Sequence, residues 1–547
     1  MSSGEKTLFF GFVFLLILST SIMLGAINSY IVVEKPMQGG SLKEGVIGFP
    51  RFVNPLLASS EADRDLVILV YSGLMKATPE GALIPDLASG YTVSDDGLEY
   101  IFTLKDNIVF HDGTPITTDD ILFTVNKTKD PSIKSPKRAN WEGVSVEKIS
   151  EKEIRFTLQE PYNPFIENTT LGILPKYIWE KIDSEQFAFS HFNTIPVGSG
   201  PYQVKNVKRN SSGIPEVYSL TSFRDYALGT PHITDFSLHF FSNEEELKNA
   251  FTAGTITSIN SISSEVAKEL DSSGYRIEQQ PLPRIFGVFL NQTQAPIFTH
   301  SEVRSALSIA VDREAIVEEV LAGYGTVITS PIPQRVLNEY IIGDGTTPRI
   351  ERAIQLLEDA GWKLDENTGI RTKKDEVLKL TLATSNASEL KEVAEMVKES
   401  WQQLGVEVTI ALYEVGTLNQ EVIRPRAYDA LLFGEIVGRD LDLFAFWHSS
   451  QRNDPGLNIA LYANIRADGL LEKIRTTNDT KERDDAFDAF EEEIQEDIPA
   501  IFIYSPNFIY ALPKNLKGFS IGTITTPAER FLDVYSWYIN TKRVWDL

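Results

Sequence analysis

LKLTLATSNASELKEVAEMVKESWQQLGVEVTIAL, residues 378–412, reads as strand, helix, strand. In 378–382 Leu alternates with Lys and Thr, the two-residue period of a half-buried strand. Residues 387–404 follow as a helix that ends at Gly405, the residue type suited to a left-handed C-terminal cap. Residues 406–412 alternate again, and YDALLF at 428–433 predicts a further strand in the same sheet. Two strands joined through a helix of this length must run parallel, so the segment is a βαβ unit of an α/β fold.

The pattern upstream of this unit stays helical. Residues 301–323 form a helical pair: Val303, Ala306, Leu307 and Ala310 share one apolar face. Asp312 then caps a second helix bearing Ile316, Val317, Val320 and Leu321. Residues 351–361 are a short amphipathic helix closed by Gly361. Nearer the N-terminus the grammar changes to strands and turns. Residues 91–104 alternate around Asp96-Gly97, a hairpin signature, and FHDGTP (110–115) is another turn. A helix opens at 118–120, and PSIKSPKRANW (131–141) reads as a cationic loop lying in solvent. A strand-rich first half and an α/β second half predict at least two lobes, as does a length of 547 residues.

Composition narrows the function classes. Hydrophobic residues at 42% and charged residues at 23% are those of a folded globular chain. The net charge of −25, from 76 acidic against 51 basic side chains, repels phosphate backbones and argues against nucleic-acid binding. There is no cysteine, which excludes disulfides, thiolate metal sites, a cysteine nucleophile and a lipidated-cysteine anchor. The six His (111, 191, 232, 239, 300 and 448) do not pair at spacings of three or four, so no zinc or nickel site of protein ligands is expected. HExxH, GxSxG and GxxxxGK[ST] are all missing, and Gly198-Ser199-Gly200 reads as a turn before a strand. A secreted hydrolase therefore lacks its nucleophile or metal, and no catalytic residue or cofactor is expected.

The N-terminus sets the topology. No charge interrupts residues 7–33, TLFFGFVFLLILSTSIMLGAINSYIVV. As a helix this run spans roughly 40 Å, enough for a bilayer core of about 30 Å. The alternatives are an uncleaved membrane anchor and a signal peptide cleaved after Leu24-Gly25-Ala26. Both place the bulk of the chain outside the cytoplasm. Residues 34–43, EKPMQGGSLK, read as a short flexible stalk.

Six segments, in order, resemble solute-binding protein family 5, the dipeptide-, oligopeptide- and nickel-complex-binding proteins of ABC importers. They are FVNPL (52–56), SDDGLEYIFTLKDNIVFHDGTP (94–115), PVGSGPY (196–202), VRSALSIAVDREAI (303–316), AIQLLEDAGW (353–362) and FWHSS (446–450). The resemblance runs from about residue 44 to 545. It implies a two-lobed α/β fold of the periplasmic-binding-protein class II type, with an extra inserted subdomain, here behind one N-terminal transmembrane helix. Lobe I would comprise 44–282 and 495–547, with the insertion at about 60–190; lobe II would be 283–494. A tail of 1–6 would precede the anchor. The implied partners are a peptide held in the interlobe cleft and the ABC permease subunits in the membrane, with the receptor a monomer.

In peptide-binding members an Asp of lobe II pairs with the ligand's ammonium. Here Val437 stands at that position, so Glu435 or Asp440 would have to substitute. Gly434 and Glu435, at the end of the 428–433 strand, are expected to line the cleft, because ligands sit at strand ends in α/β sheets. Asp440 and Asp442 read equally as helix caps. Trp447 floors a pocket or belongs to the core; Asn54 approaches a ligand backbone or makes an Asx turn. Tyr504 would face the cleft from the returning segment, and Asn291 would orient a backbone or simply end a strand. A sugar, a metal chelate or a signalling peptide fits the same fold, as does a membrane-anchored sensor without a transporter.

Overall fold

The computed structural model describes residues 2–332, 348–439, 441–477, 479–522 and 524–545. The segment that opened the sequence reading folds as a βαβ unit. Lys379–Ser385 and Glu407–Tyr413 pair in parallel, residue for residue, and Ser388–Gln402 forms the intervening helix. Ala430–Ile436 lies parallel to Lys379–Ser385 on its other edge. Beside it runs Arg284–Leu290, RIFGVFL, an almost unbroken apolar run because both faces of this strand are covered.

The next strand, Ala500–Leu512, carries the chain back between the lobes. Its sequence AIFIYSPNFIYAL is apolar at both ends and broken by Ser505-Pro506-Asn507 in the middle. The break coincides with a change of partner. Ala500–Tyr504 pair with the outgoing strand, whereas 507–512 pair with Arg276–Pro281 of lobe I. One sheet path therefore runs through both lobes, continuing across Ser258–Asn260, Ser41–Ile47, Asp235–Phe241, Pro215–Ser222 and Tyr202–Arg209.

Lobe II packs apolar layers on both faces of its sheet. One layer joins Val303, Ala306, Leu307 and Ala310 to Val393, Val397 and Trp401. The other joins Trp447, Leu471, Phe490 and Phe502. As expected from sequence, Asp312 caps the second helix of the 301–323 pair, accepting from the Ala315 amide at 3.0 Å. The Asp96-Gly97 hairpin forms between Ala88–Val93 and Glu99–Leu104, with Gly97 at φ +69°.

Three expected boundaries move. The return to lobe I falls at 505–507 rather than 495, because Ala500–Tyr504 still belong to the lobe II sheet. The inserted subdomain has its own core from Leu74 to Ile173, built on a four-stranded sheet. The helix Glu61–Val70, assigned to it from sequence, instead packs Leu66 and Leu69 into lobe I. The stalk is not a free leash: Val32–Pro36 pairs antiparallel with Thr541–Trp545, Val32 opposite Trp545, and Glu34 accepts from Lys517 Nζ at 2.7 Å. Just before it, Ser3–Ile31 is the one helix among the described residues long and apolar enough to cross a membrane.

Lobe I is tied at its centre by a buried ionic network. Arg530, 1% exposed, donates from Nη1 and Nη2 to the two oxygens of Asp65 at 2.8 and 2.7 Å. Its Nε reaches Glu44 Oε1 at 3.1 Å. Tyr510 and Asn260 donate to the same Glu44 carboxylate at 2.9 Å each, and Ser258 donates to it as well. Burial, aided by the neighbouring Asp65 carboxylate, pushes the Glu44 carboxyl up against the pull of the guanidinium. Removing one member of such a network strands the others without charge compensation. Arg530→Met is thus expected to cost about 3–5 kcal/mol of stability, read as a lowered denaturant midpoint at unchanged slope; a loss below 1 kcal/mol would contradict this role.

Candidate functional site

A cleft of about 1600 Å³, counting space open to solvent, lies between the lobes. Its lobe I wall comes from the helix Glu61–Val70 (Arg64, Ile68), the strand Met75–Ala77 (Lys76), Asp86, and the 137–172 region (Lys137, Tyr162, Glu167). The C-terminal return adds Glu529, and lobe II contributes Gly438 and Arg439. The lobes touch across it. Arg439 forms an ion pair with Glu529, and Asp442 accepts from Tyr162 Oη at 3.4 Å. Asn163 donates from its backbone to Arg475 O at 3.3 Å and from Nδ2 to Thr477 O at 2.5 Å. The Arg475 guanidinium lies 5.2 Å from the Tyr162 ring centroid while holding Asp442 at 2.7 Å. These contacts join lobe II to the inserted subdomain.

The charges in the wall are perturbed by enclosure. Asp86 is 1% exposed and burial pushes its carboxyl up to about 6; its Oδ1 has no hydrogen-bond partner. Burial pulls the Lys76 ammonium down, with Asp86 and Asp533 opposing. Lys137 presents an exposed surface, yet the concave walls around it and the Arg64 guanidinium pull its ammonium below the ordinary range, with Glu529 opposing. The Arg439 side chain is 6% exposed; one nitrogen serves Glu529, while Nε and Nη1 have no hydrogen-bond partner.

The residues expected from sequence are placed differently. Asn54 is fully buried and makes the Asx turn: Oδ1 accepts from the Leu56 amide at 2.9 Å, and Nδ2 donates to Asn193 at 3.0 Å. Asn291 ends its strand at the edge remote from the lobe crossing. Its side chain bonds Arg426 O and the amides of Thr293 and Gln294 within lobe II. Trp447 is fully buried core, between Phe289 and Phe502. Tyr504 is also buried; its hydroxyl donates to Glu389 at 2.6 Å and its ring stacks on Phe286 with centroids 4.9 Å apart. Gly434 sits opposite Phe286, whose ring would lie 2.6 Å from a Cβ there, so the glycine makes room for that ring rather than for a ligand. Asn54, Asn291 and Trp447 thus take the structural alternative read for each, whereas Tyr504 and Gly434 are engaged by neighbours distant in sequence, Glu389 and Phe286.

Glu435 lies on the opposite face of the same strand, 6% exposed, with neither carboxylate oxygen hydrogen-bonded. Burial drives its carboxyl well above the usual range, with Arg426 opposing. Asp440 lies outside the described residues. The sequence reading missed Arg439, which stands beside the carboxylates it weighed; the solvent-exposed loop read at 131–141 does carry Lys137, whose exposed side chain lines the cleft. Arg439 stands alone among acidic neighbours and Lys137 is one of three cations in its loop, but only the fold brings them to the two walls of one cleft.

The model of bacterial extracellular solute-binding proteins, family 5 (middle), matches residues 82–455, more than half of the chain. The oligopeptide-binding protein AppA of Bacillus subtilis is 29% identical over 92% of this chain and 92% of its own length. The solved structure of AppA from Bacillus subtilis, in complex with a nonapeptide, superposes with a TM-score of 0.68 at 27% identity, covering 92% of this chain and all of that one. The ABC transporter substrate-binding protein CtaP of Listeria monocytogenes gives 0.75 at 27% identity, with 92% and 99% covered.

Glu435 carries a pH signature. Its folded carboxyl binds a proton more tightly than the unfolded one, so its contribution is fully present below pH of about 4.5 and is lost as pH rises. One such group changes stability by up to about 1.4 kcal/mol per pH unit. Denaturant unfolding of Glu435→Gln against wild type is expected to show a gap favouring the variant that widens from pH 5 to 8. A gap independent of pH would contradict the buried, unpaired carboxyl.

Proposed function

The chain belongs to the bacterial extracellular solute-binding proteins of family 5, and on that premise we propose that it is the peptide receptor of an ABC importer. It captures a peptide between its lobes and presents the closed form to membrane permease subunits. The observation that carries this reading is the cleft itself: its walls come from both lobes, and contacts of Arg439, Tyr162, Asn163 and Arg475 join them across it. A ligand touching both walls favours closure by its differential affinity for that state. That the nonapeptide-bound protein of Bacillus subtilis is similar over 92% of this chain supports the same conclusion.

The receptor works without catalysis, as a monomer, with its body outside the cytoplasm. The helix Ser3–Ile31 remains as a single-pass anchor, and the ribbon of Val32–Pro36 with Thr541–Trp545 stands where it leaves the membrane. The acidic body binds no nucleic acid.

Native mass spectrometry of the full chain released from detergent tests both points. A ladder of peptide masses ejected from the protein is the expected result, and an intact mass retaining residues 3–31 is expected with it. A single non-peptide adduct would overturn the peptide reading, and a mature N-terminus just after Ala26 would replace the anchor by secretion.

A further inference from the structure

The two-stranded ribbon that follows the apolar helix is sorted by row. Val32 stands opposite Trp545 and Val33 opposite Val544; the next rows pair Glu34 with Arg543 and Lys35 with Lys542. The two rows nearest Ile31 are therefore apolar, and the two beyond them hold three cations and one carboxylate. That carboxylate is engaged: Glu34 accepts from Lys517 Nζ at 2.7 Å, which brings a fourth cation to the patch. Lys35 and Lys542 are exposed. A chain of net charge −25 thus gathers cations where it leaves its apolar helix. The order of the rows matches the depth profile of a bilayer surface. Tryptophan favours the boundary between acyl chains and headgroups, and Lys or Arg just outside it are drawn to anionic headgroups. The distances agree. A helix of 29 residues is about 43 Å long, the thickness of a bilayer with its headgroups, so the ribbon starts at the outer surface. Strand residues rise about 3.3 Å each, which puts the first charged row about 10 Å beyond Ile31, close to the Debye length of about 8 Å. Any tilt of the ribbon brings its cations nearer.

We propose that the ribbon of Val32–Pro36 with Thr541–Trp545 docks on the headgroup layer of the outer leaflet, where Lys35, Lys542 and Arg543 take the phosphates of anionic lipids. The inference rests on the reading of Ser3–Ile31 as a retained anchor and adds to it a lipid preference. Charge sets the stance of the body as well. An anionic surface repels the acidic lobes and attracts the ribbon, so the chain meets the membrane through its stalk.

The test is native mass spectrometry of the full chain in mild detergent with equal amounts of phosphatidylglycerol and phosphatidylcholine, the intact mass reporting whether residues 3–31 are present. Wild type is expected to retain phosphatidylglycerol about tenfold over phosphatidylcholine, and the triple variant Lys35→Gln, Lys542→Gln, Arg543→Gln less than about twofold. The pair Lys35→Arg, Lys542→Arg keeps the charge and should keep the preference; its loss there would assign the effect to the shape of the ribbon and overturn the inference. Lys6→Gln, at the other end of the helix, should leave the preference intact, and its loss there would place the lipid at the inner leaflet and overturn it too. Equal retention of the two lipids by wild type overturns the docking while leaving the anchor standing. A mass lacking residues 1–26 removes the anchor but not the ribbon. Flotation of that shorter chain with phosphatidylglycerol vesicles, lost in the triple variant, then supports the docking, and failure to float overturns it.

Discussion

Everything in lobe I hangs on one guanidinium. Arg530 comes from the last twenty residues of the chain, Glu44 from the first strand of the body and Asp65 from the first helix behind it. The sequence separations are 486 and 465 residues, so the network closes the chain almost end to end. A hinge made of two crossing strands demands this. The chain leaves lobe I by Arg284–Leu290 and comes back by Ala500–Leu512, so lobe I is assembled from two pieces separated by an entire second lobe. Apolar contacts join those pieces without fixing their register. Glu44 lies on the strand that pairs in parallel with Asp235–Phe241 and Ser258–Asn260, and the arginine fork, satisfied on Asp65 and Glu44 together, allows one placement.

Most of the architecture was legible in the sequence because it is written in short periods. The strand–helix–strand of 378–412, the helical pair around Asp312 and the Asp96-Gly97 hairpin depend on residues a few positions apart, and they formed as read. The site was not legible for the opposite reason. Tyr504 looked open until Glu389 and Phe286 closed on it, and Asn291 looked free until Arg426 took its amide. Gly434 looked like an opening until the Phe286 ring filled it. Each partner lies on another element, out of reach of any local pattern. Boundaries failed similarly: the break at Ser505-Pro506-Asn507 was visible, but which sheet claims Ala500–Tyr504 is a matter of pairing, not of periodicity.

The charge of the whole misleads about the charge of the part. The chain carries a net −25, yet the cleft wall brings together Arg64, Lys76, Lys137 and Arg439 against Asp86, Glu167 and Glu529. Acidic residues dominate the outer surface, where they cost little and oppose association; the cations are gathered where walls of low dielectric strengthen their field. A ligand approaching this protein therefore meets a negative exterior and a mixed interior, and the sign it experiences changes as it enters.

The pairing of Val32–Pro36 with Thr541–Trp545 has a mechanical meaning. With the preceding helix in a bilayer, a single peptide strand would let the body swing through a wide cone, facing any direction. A two-stranded bracket joins that helix to lobe I at both chain termini and narrows the cone. Lobe II, covalently joined to lobe I only through the crossing strands, would then be the part free to move relative to the membrane plane. With such an anchor, encounter with a permease would be a search across a surface by a body already roughly oriented, and closure would be read as the position of one lobe above a stationary other.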